Sequence, residues 1–283
     1  MSACFDLEVK DGVAHLRFNR PEQLNSMTLD FWRELPQVVN RLSDSGEARA
    51  LVLSSTGRHF TAGMDLSVLA GDGLDGQAES AASAADLGRA RSRMRQTVLL
   101  FQESFNALER ARMPVIAAVQ GGCVGGGVDL VSACDFRHCT RDAFFCIQEI
   151  NLGFTADVGT LQRLPKLLPE GVVRELAYTG RRMPAERALA CGLVNEVHKD
   201  QPAMLSEVLN IAGEIAEKSP LAVWGSKEML NYSRDHSIRD SLEYIATWQA
   251  GMFFGGDMQE AFRARNDKRR PTFDNLPPRR SNI

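Results

Sequence analysis

Three carboxylate residues follow a glycine-rich segment in the middle of the chain. They are Asp129, Glu149 and Asp157, and their neighbours are mainly apolar residues and glycines. Carboxylates clustered in such a setting should have raised pKa values, which suits them to proton transfer near neutral pH. Each residue also has a structural explanation. Asp129 could interact with a helix dipole, Glu149 could be a surface residue at the end of a strand, and Asp157 could cap a helix. Together, however, the three predict a proton-transfer site.

The glycine-rich segment before them could stabilise a negative charge that develops during a reaction. Residues 120–129 read Gln-Gly-Gly-Cys-Val-Gly-Gly-Gly-Val-Asp, between a predicted strand at 115–119 and a predicted helix at 128–134. Glycines let the backbone approach a ligand closely, and the first turn of a helix offers unpaired N–H groups. The glycine spacing matches neither a Walker loop nor the dinucleotide fingerprint. The segment therefore predicts an oxyanion hole, with a tight packing turn as the alternative.

A second loop has a similar character. Residues 59–66 read His-Phe-Thr-Ala-Gly-Met-Asp-Leu and follow a predicted strand at 50–53. The small residues at 61–63 could turn backbone N–H groups toward a ligand. One N–H group from each loop would make a two-donor oxyanion hole. An ordinary left-handed turn at Gly63 is the alternative.

Strands and helices alternate in the first part of the chain, which predicts an α/β fold. The pattern indicates a hairpin over residues 5–19, a helix over 29–42 capped by Thr28 or Ser26, a mobile loop over 70–86 and a long helix over 87–112. A further strand is predicted at 136–139. After Gly159 the pattern is mainly helical, through segments at 160–168, 172–178, 184–190, 202–217, 220–232, 237–250 and 257–268.

Composition narrows the function classes. A formal net charge of −3 on 283 residues gives no case for binding nucleic acid or a membrane. The six cysteines form no C-x-x-C pair, so a zinc motif is not expected. The start of the chain resembles no secretory leader and its end is not Ser-Lys-Leu, so we expect a cytoplasmic location. A basic segment, residues 263–280, could meet an anionic ligand or be a solvated tail.

Several segments carry a family resemblance. The chain resembles the enoyl-CoA hydratase/isomerase (crotonase) superfamily over nearly its whole length, on motifs at residues 20–25, 60–66, 114–127 and 192–195. Within it, the chain is more similar to the Δ3,5-Δ2,4-dienoyl-CoA isomerases. Typical hydratases carry Glu in place of Asp129 and Gly near the place of Asp157.

The resemblance implies a spiral of ββα units, with a core domain over residues 1–200 and a helical oligomerisation region over 201–283. It also implies a homotrimer or homohexamer that acts on acyl-CoA thioesters in fatty-acid β-oxidation. Coenzyme A would be part of the substrate, and neither a metal nor another cofactor is expected. Several large apolar side chains between residues 237 and 262 favour burial between subunits, although the helix could instead fold back on its own core.

The same resemblance implies roles for individual residues. The N–H groups of Met64 and Gly126 would bind the thioester oxygen, with Gly127 as the neighbouring candidate. Glu149 would remove the proton at carbon 2 and Asp157 would protonate carbon 6, or the reverse, while Asp129 would tune or position this pair. The remaining substrate-binding positions expected from these motifs are Ala62, Gly63, Asp65, Leu66 and Gly127. The alternatives are a hydratase that uses Asp129 and Glu149, and a non-catalytic relative that binds acyl-CoA or RNA.

Overall fold

A computed structural model describes residues 4–69, 84–253 and 255–279. Within these ranges the strands are β1 (Phe5–Lys10), β2 (Val13–Phe18), β3 (Ala50–Ser55), β4 (Val115–Val119), β5 (Gly122–Val124), β6 (Phe136–Thr140), β7 (Phe144–Cys146), β8 (Met183–Pro184) and β9 (Glu196–His198). They form a six-stranded sheet in the order β1-β2-β3-β4-β6-β9 and a three-stranded sheet in the order β5-β7-β8. In the larger sheet β1 pairs with β2 antiparallel, and the other pairs are parallel.

The helices are α1 (Leu29–Ser45), α2 (Leu66–Leu69), α3 (Ala84–Arg110), α4 (Gly126–Ser132), α5 (Thr160–Leu167), α6 (Glu170–Thr179), α7 (Ala185–Ala190), α8 (Gln201–Ala216), α9 (Pro220–Tyr232), α10 (Ile238–Met252) and α11 (Gly256–Asn266). Short 3-10 turns occur at Pro21–Gln23 and Glu149–Leu152. This mixture confirms the α/β class. Among the described residues, no helix is both long enough and apolar enough to cross a membrane.

The central strands β3 and β4 are buried along their whole length. Parallel strands covered on both faces read as continuous apolar runs, which is why both were recognisable in the sequence. Alternate side chains point to opposite faces. Val52, Ile116 and Ala118 pack against α8 in one apolar cluster, and the intervening residues join the larger cluster on the other face.

Helix α8 begins at Gln201 and packs against several strands of the larger sheet. The boundary expected at residue 200 therefore precedes a helix that covers the core, and the division into 1–200 and 201–283 stays a prediction.

The hairpin and most predicted helices are confirmed. Asp11 and Gly12 both have positive φ values, 50° and 78°, as the tight turn between β1 and β2 requires. Thr28 occupies the N-cap position of α1, but its side chain makes no capping hydrogen bond. The loop predicted over 70–86 falls mostly on residues 70–83, which lie outside the described residues, and residues 84–86 already belong to α3.

The glycine-rich segment holds more regular structure than its sequence indicates. Its first part forms β5, and α4 begins at Gly126, two residues before the predicted start. Strands β5, β8 and β9 span two or three residues each. Such short strands carry too little alternation to be recognised from sequence.

Candidate active site

Backbone hydrogen bonds to Met27 hold the loop at residues 59–65 in place. Met27 N–H donates to Gly63 O at 2.8 Å, and Asp65 N–H donates to Met27 O at 3.0 Å. Because both flanking residues bond to Met27 in a parallel bridge, the N–H group of Met64 between them points to the opposite side. The loop thus presents the donor that the sequence predicts for an oxyanion hole.

The two glycine-bearing loops touch each other. A Cβ atom at Gly63 would lie 2.7 Å from the Val124 carbonyl oxygen and 3.6 Å from Gly125 Cα. Gly63 has a φ of 88°, which favours glycine. Contact this close between two backbones allows only a hydrogen at this position. The loops that carry Met64 and Gly126 therefore meet at one place.

Gly125 makes the turn from β5 into α4. Its φ of 54° and ψ of −122° suit glycine and no other residue, and α4 starts at the next residue. The N–H group of Gly126, at the helix start, has no acceptor within the helix. Gly126 itself has no positive φ, so the special backbone angles that a glycine supplies here belong to Gly125.

A pocket of about 570 Å³ opens beside both loops. Seven predicted site residues line it: Ala62, Gly63, Met64, Asp65, Gly126, Glu149 and Asp157. Gly127 and Asp129 are not among its lining residues in the described chain. A Cβ at Gly127 would lie 2.5 Å from Thr61 Cγ2, so Gly127 packs inside the protein. The side chain of Leu66 lies outside what the structure describes.

Glu149 places its carboxylate against the glycine loop. Its Oε1 atom lies 3.1 Å from the position of a Cβ at Gly125. The Oε2 atom is buried and has no hydrogen-bond partner among the described residues. Burial and the nearby carboxylates of Asp129 and Asp157 raise the pKa of Glu149 to about 7. A carboxyl group with this pKa can exchange a proton near neutral pH.

Asp157 lies on the segment between the turn at Glu149–Leu152 and α5. Its side chain is half-buried, and burial raises its pKa above the ordinary value for an aspartate. The N-cap of α5 is Gly159, so the capping role weighed for Asp157 is not observed. Gln102 anchors this segment by donating a hydrogen bond of 2.7 Å to the Asp157 carbonyl oxygen.

Asp129 has the structural role that Asp157 lacks. Its Oδ1 atom accepts a 2.6 Å hydrogen bond from the backbone N–H of Thr160, the first residue of α5. The side chain is fully buried, and this desolvation raises the pKa of Asp129 to about 6. Asp129 therefore lies behind the pocket, where its charge acts on Glu149.

Asp65 differs electrostatically from the other three acids. Ser26 Oγ donates to its Oδ2 at 2.6 Å, and the backbone N–H of Ser67 donates to its Oδ1 at 3.1 Å. These bonds lower the pKa of Asp65, because they favour its charged form. Asp65 is thus a fixed anion that orders the second loop, and it is poorly suited to proton transfer.

Comparison with known proteins identifies the family to which the chain belongs. The model of the enoyl-CoA hydratase/isomerase family matches residues 8–276. The chain belongs to the enoyl-CoA hydratase/isomerase family. The resemblance found in the sequence and the crotonase-like fold expected from it are therefore confirmed, and the protein is an enzyme of this family.

Individual members of the family are similar over nearly the whole chain. A Delta(3,5)-Delta(2,4)-dienoyl-CoA isomerase from Homo sapiens, named as mitochondrial, is 45% identical over 258 residues, which cover 91% of this chain and 77% of the human protein. A peroxisomal isomerase of the same name from Arabidopsis thaliana is 41% identical and covers 93% of both chains. The crystal structure of an enoyl-CoA hydratase from Bacillus anthracis superimposes with a TM-score of 0.82 at 28% identity, covering 95% of this chain and 98% of that one.

The expectation of a cytoplasmic location is wrong, because these two isomerases are named as mitochondrial and peroxisomal proteins. The six cysteines are free thiols. Free thiols are compatible with more than one reducing compartment, so composition could not distinguish among them.

Several residues that line the pocket of this family member were not predicted from the sequence. Trp32, on α1, lines the pocket and stacks on Phe101 with a centroid distance of 4.6 Å. Arg182 also lines it, and its guanidinium lies 4.4 Å from the centroid of Phe144. The pair Arg181-Arg182 lies directly before β8, but nothing in the sequence around it indicated a place beside the pocket.

Several cations of the basic segment 263–280 pair with acids of the same chain. Arg269 pairs with Glu260 at 2.5 Å, and Arg270 pairs with Glu217 at 2.6 Å. None of the described residues 263–279 lines the pocket. Among the described residues that line the pocket, Arg182 is the cation.

Proposed function

We propose that this enzyme converts 3,5-dienoyl-CoA to 2,4-dienoyl-CoA. The observation that carries the proposal is the presence of two carboxylates with raised pKa values, Glu149 and Asp157, in the pocket where the Met64 and Gly126 loops meet. This isomerisation moves a proton from carbon 2 to carbon 6. Two separate proton-transfer groups at one pocket meet that need, and the similarity to named dienoyl-CoA isomerases supports it.

In the proposed mechanism, the thioester oxygen accepts hydrogen bonds from Met64 N–H and Gly126 N–H. Glu149 removes a proton from carbon 2, and the electron pair of that C–H bond delocalises through the diene onto the thioester oxygen. The two N–H donors stabilise this dienolate. Protonated Asp157 then donates its proton to carbon 6, and the double bonds shift to positions 2 and 4.

Each turnover leaves Glu149 protonated and Asp157 ionised. A net transfer of one proton from Glu149 to Asp157, directly or through solvent, restores the starting state. Burial raises the pKa of both groups, which lowers the cost of holding the proton on either carboxyl. No step of this proton transfer needs a metal or a redox cofactor.

The hydratase alternative requires Asp129 and Glu149 to share a water molecule. Asp129 is fully buried and accepts a hydrogen bond from Thr160, and it does not line the described pocket. This geometry favours the isomerase over that hydratase. An RNA-binding role is disfavoured as well, because much of the basic segment pairs with acids of the same chain.

We also propose that the enzyme is a homotrimer or homohexamer assembled through its C-terminal helices. Helix α10 packs on α9, and none of its described residues is buried. Ile238 and Leu242 expose 82% and 62% of their surface, which a second subunit would cover. A light-scattering mass near 31.2 kDa would rule out this assembly.

Separate incubations with 3,5-dienoyl-CoA and 2-enoyl-CoA test the proposed reaction. We expect the absorbance of a conjugated 2,4-dienoyl thioester to appear with the first substrate, and little loss of the enoyl band with the second. Rapid hydration of 2-enoyl-CoA without dienoyl isomerisation would instead identify a hydratase. The fatty-acid β-oxidation role that we propose for the enzyme depends on the first outcome.

A further inference from the structure

Two histidines and a glutamate converge at the edge of the larger sheet. His138, on β6, is the direct cross-strand partner of Glu196 on β9. His198 follows Glu196 by two residues, so its side chain points to the same face of the sheet. None of the three lines the pocket described above. The proposed reaction therefore leaves this cluster without a role.

The possible ligand atoms of this cluster are close together. His138 Nδ1 and His198 Nε2 are 3.0 Å apart, and each lies 4.0 Å from Glu196 Oε2. The two imidazole rings are nearly parallel, with an angle of 15° between their planes. A simple hydrogen bond, with one shared proton between the two nitrogens, accounts for the histidine pair. The carboxylate of Glu196, placed there by the pairing of β6 with β9, adds a third possible ligand.

We propose that His138, His198 and Glu196 form a binding site for a divalent transition metal ion such as Zn²⁺. A metal–nitrogen distance of 2.0–2.1 Å converts the observed nitrogen separation into an N–metal–N angle of about 94°. That angle lies between the octahedral and tetrahedral values, and binding requires the rings to turn until both lone pairs point at one ion. Two imidazoles and one carboxylate are common zinc ligands, and water would fill the open positions.

The histidines and the glutamate differ in burial. His138 and the side chain of His198 are buried, whereas the side chain of Glu196 is 55% exposed. A metal ion binds the neutral form of an imidazole ring. When the ion binds, the shared proton moves to the other nitrogen of its ring. The Glu196 carboxylate then needs to approach by roughly 1 Å, which its exposure permits.

An ion at this position would fasten the three-residue strand β9 to β6. A strand this short has few ladder hydrogen bonds of its own, and it connects α7 to α8. A bound metal would therefore stabilise the folded protein. It would leave the isomerase rate nearly unchanged, because the cluster lies outside the pocket.

The test uses the full chain without a polyhistidine tag, stripped with EDTA and titrated with ZnCl₂ and CoCl₂. We expect one equivalent to bind with a Kd below about 10 µM and Co²⁺ to give visible bands. Saturating Zn²⁺ should raise Tm by roughly 5 °C. His198→Gln and Glu196→Gln should each weaken binding at least about tenfold. His236→Gln, a change at an exposed histidine elsewhere, is the matched control and should bind normally.

The metal-free Tm of each variant, measured first, separates loss of binding from loss of fold. His138→Gln is not used, because a substitution at this buried residue would itself lower the stability of the fold. Failure of the stripped protein to bind Zn²⁺ or Co²⁺ would overturn the proposal. So would binding that His198→Gln and Glu196→Gln leave intact, since the ion would then lie elsewhere.

Discussion

The carboxylate of Asp129 accepts a 2.6 Å hydrogen bond from the backbone N–H of Thr160. This bond joins the first turn of α4, which begins at Gly126, to the first residue of α5. Asp157 lies three positions before Thr160. A single buried contact thus connects the start of the proposed oxyanion hole with the segment that carries the proposed acid.

Asp129→Ala and Asp129→Asn should separate the structural role of Asp129 from its electrostatic role. Alanine leaves the buried Thr160 N–H without an acceptor, which should destabilise the protein by about 1–3 kcal/mol. Asparagine retains an acceptor oxygen, so its Tm should remain near that of the parent. Thermal unfolding followed by circular dichroism measures both. Equal losses of Tm in the two variants would contradict this role for the hydrogen bond.

The Asn variant should also shift the pH dependence of isomerisation. The charge of Asp129 raises the pKa of Glu149, and removing it should lower that pKa. Since the proposed base acts when ionised, activity falls as pH drops through its pKa, near 7 in the parent. We expect the acid limb of the pH–rate profile to move to lower pH in Asp129→Asn, and an unmoved limb would argue against Glu149 as the base.

Hydrogen exchange in D₂O should assign the base and the acid. Glu149→Gln should slow both deuterium uptake at carbon 2 and isomerisation by on the order of 10²–10⁴-fold. Asp157→Asn should slow isomerisation by a similar factor while uptake at carbon 2 continues. Mass spectrometry of recovered thioester measures the uptake. The opposite pattern would exchange the two roles.

Two exposed carboxylates provide matched controls for this experiment. Glu186→Gln and Asp142→Asn make the same chemical changes outside the pocket. Both should isomerise at the parental rate. If they are slowed as much as the site variants, the losses report on general damage to the fold.

The raised pKa of Glu149 should make the native enzyme less stable in alkaline solution. Glu149 titrates near 7 in the folded protein and near its ordinary value of 4.5 when unfolded. Between these values the folded state binds more protons, so this group lowers stability as pH rises from 4.5 to 7. Glu149→Gln should therefore increase the free energy of unfolding at pH 8 by up to about 3 kcal/mol, with little gain near pH 5. Urea denaturation at both pH values measures the difference; an equal change at both would show another cause.

Substitutions in the two loops should have unequal effects. A Cβ at Gly126 would lie 3.1 Å from Met27 Sδ, so Gly126→Val should displace the helix start and its N–H group. Loss of one oxyanion donor lowers kcat by about 10²–10³-fold. Met64→Ala keeps the backbone donor and should be mild. Similar kcat values for the two folded variants would rule out a hole made from these backbone groups.

Arg182 is expected to attract the phosphate groups of the coenzyme A thioester. Arg182→Gln should raise KM more at low salt than at high salt, because salt screens an exposed charge, and it should change kcat little. Arg181→Gln removes the neighbouring exposed cation, which does not line the described pocket, and is the matched control. Initial rates at two ionic strengths give both constants. Equal KM values for the two variants at low salt would remove Arg182 from substrate binding.

Local sequence pattern predicted most of the secondary-structure elements of this protein. The apolar runs at 50–53 and 115–119 predicted the buried strands β3 and β4, and the Asp11-Gly12 turn specifies the first hairpin. Glycine and carboxylate types at 121–129, 149 and 157 indicated the chemistry. These features depend on short-range periodicity and turn geometry, which are determined by residues that are neighbours in the sequence.

Only the tertiary structure decided which groups meet. The sequence alone did not show that Asp129 bonds to Thr160 or that Arg182 lies beside the pocket. Nor could it show that Gly127 packs on Thr61 while Gly126 lines the pocket, since adjacent glycines look alike. Periodicity records whether a side chain is buried, but not which distant segment covers it. That choice is made by the packing of whole elements, and here it separates the buried Asp129 from the two carboxylates that line the pocket.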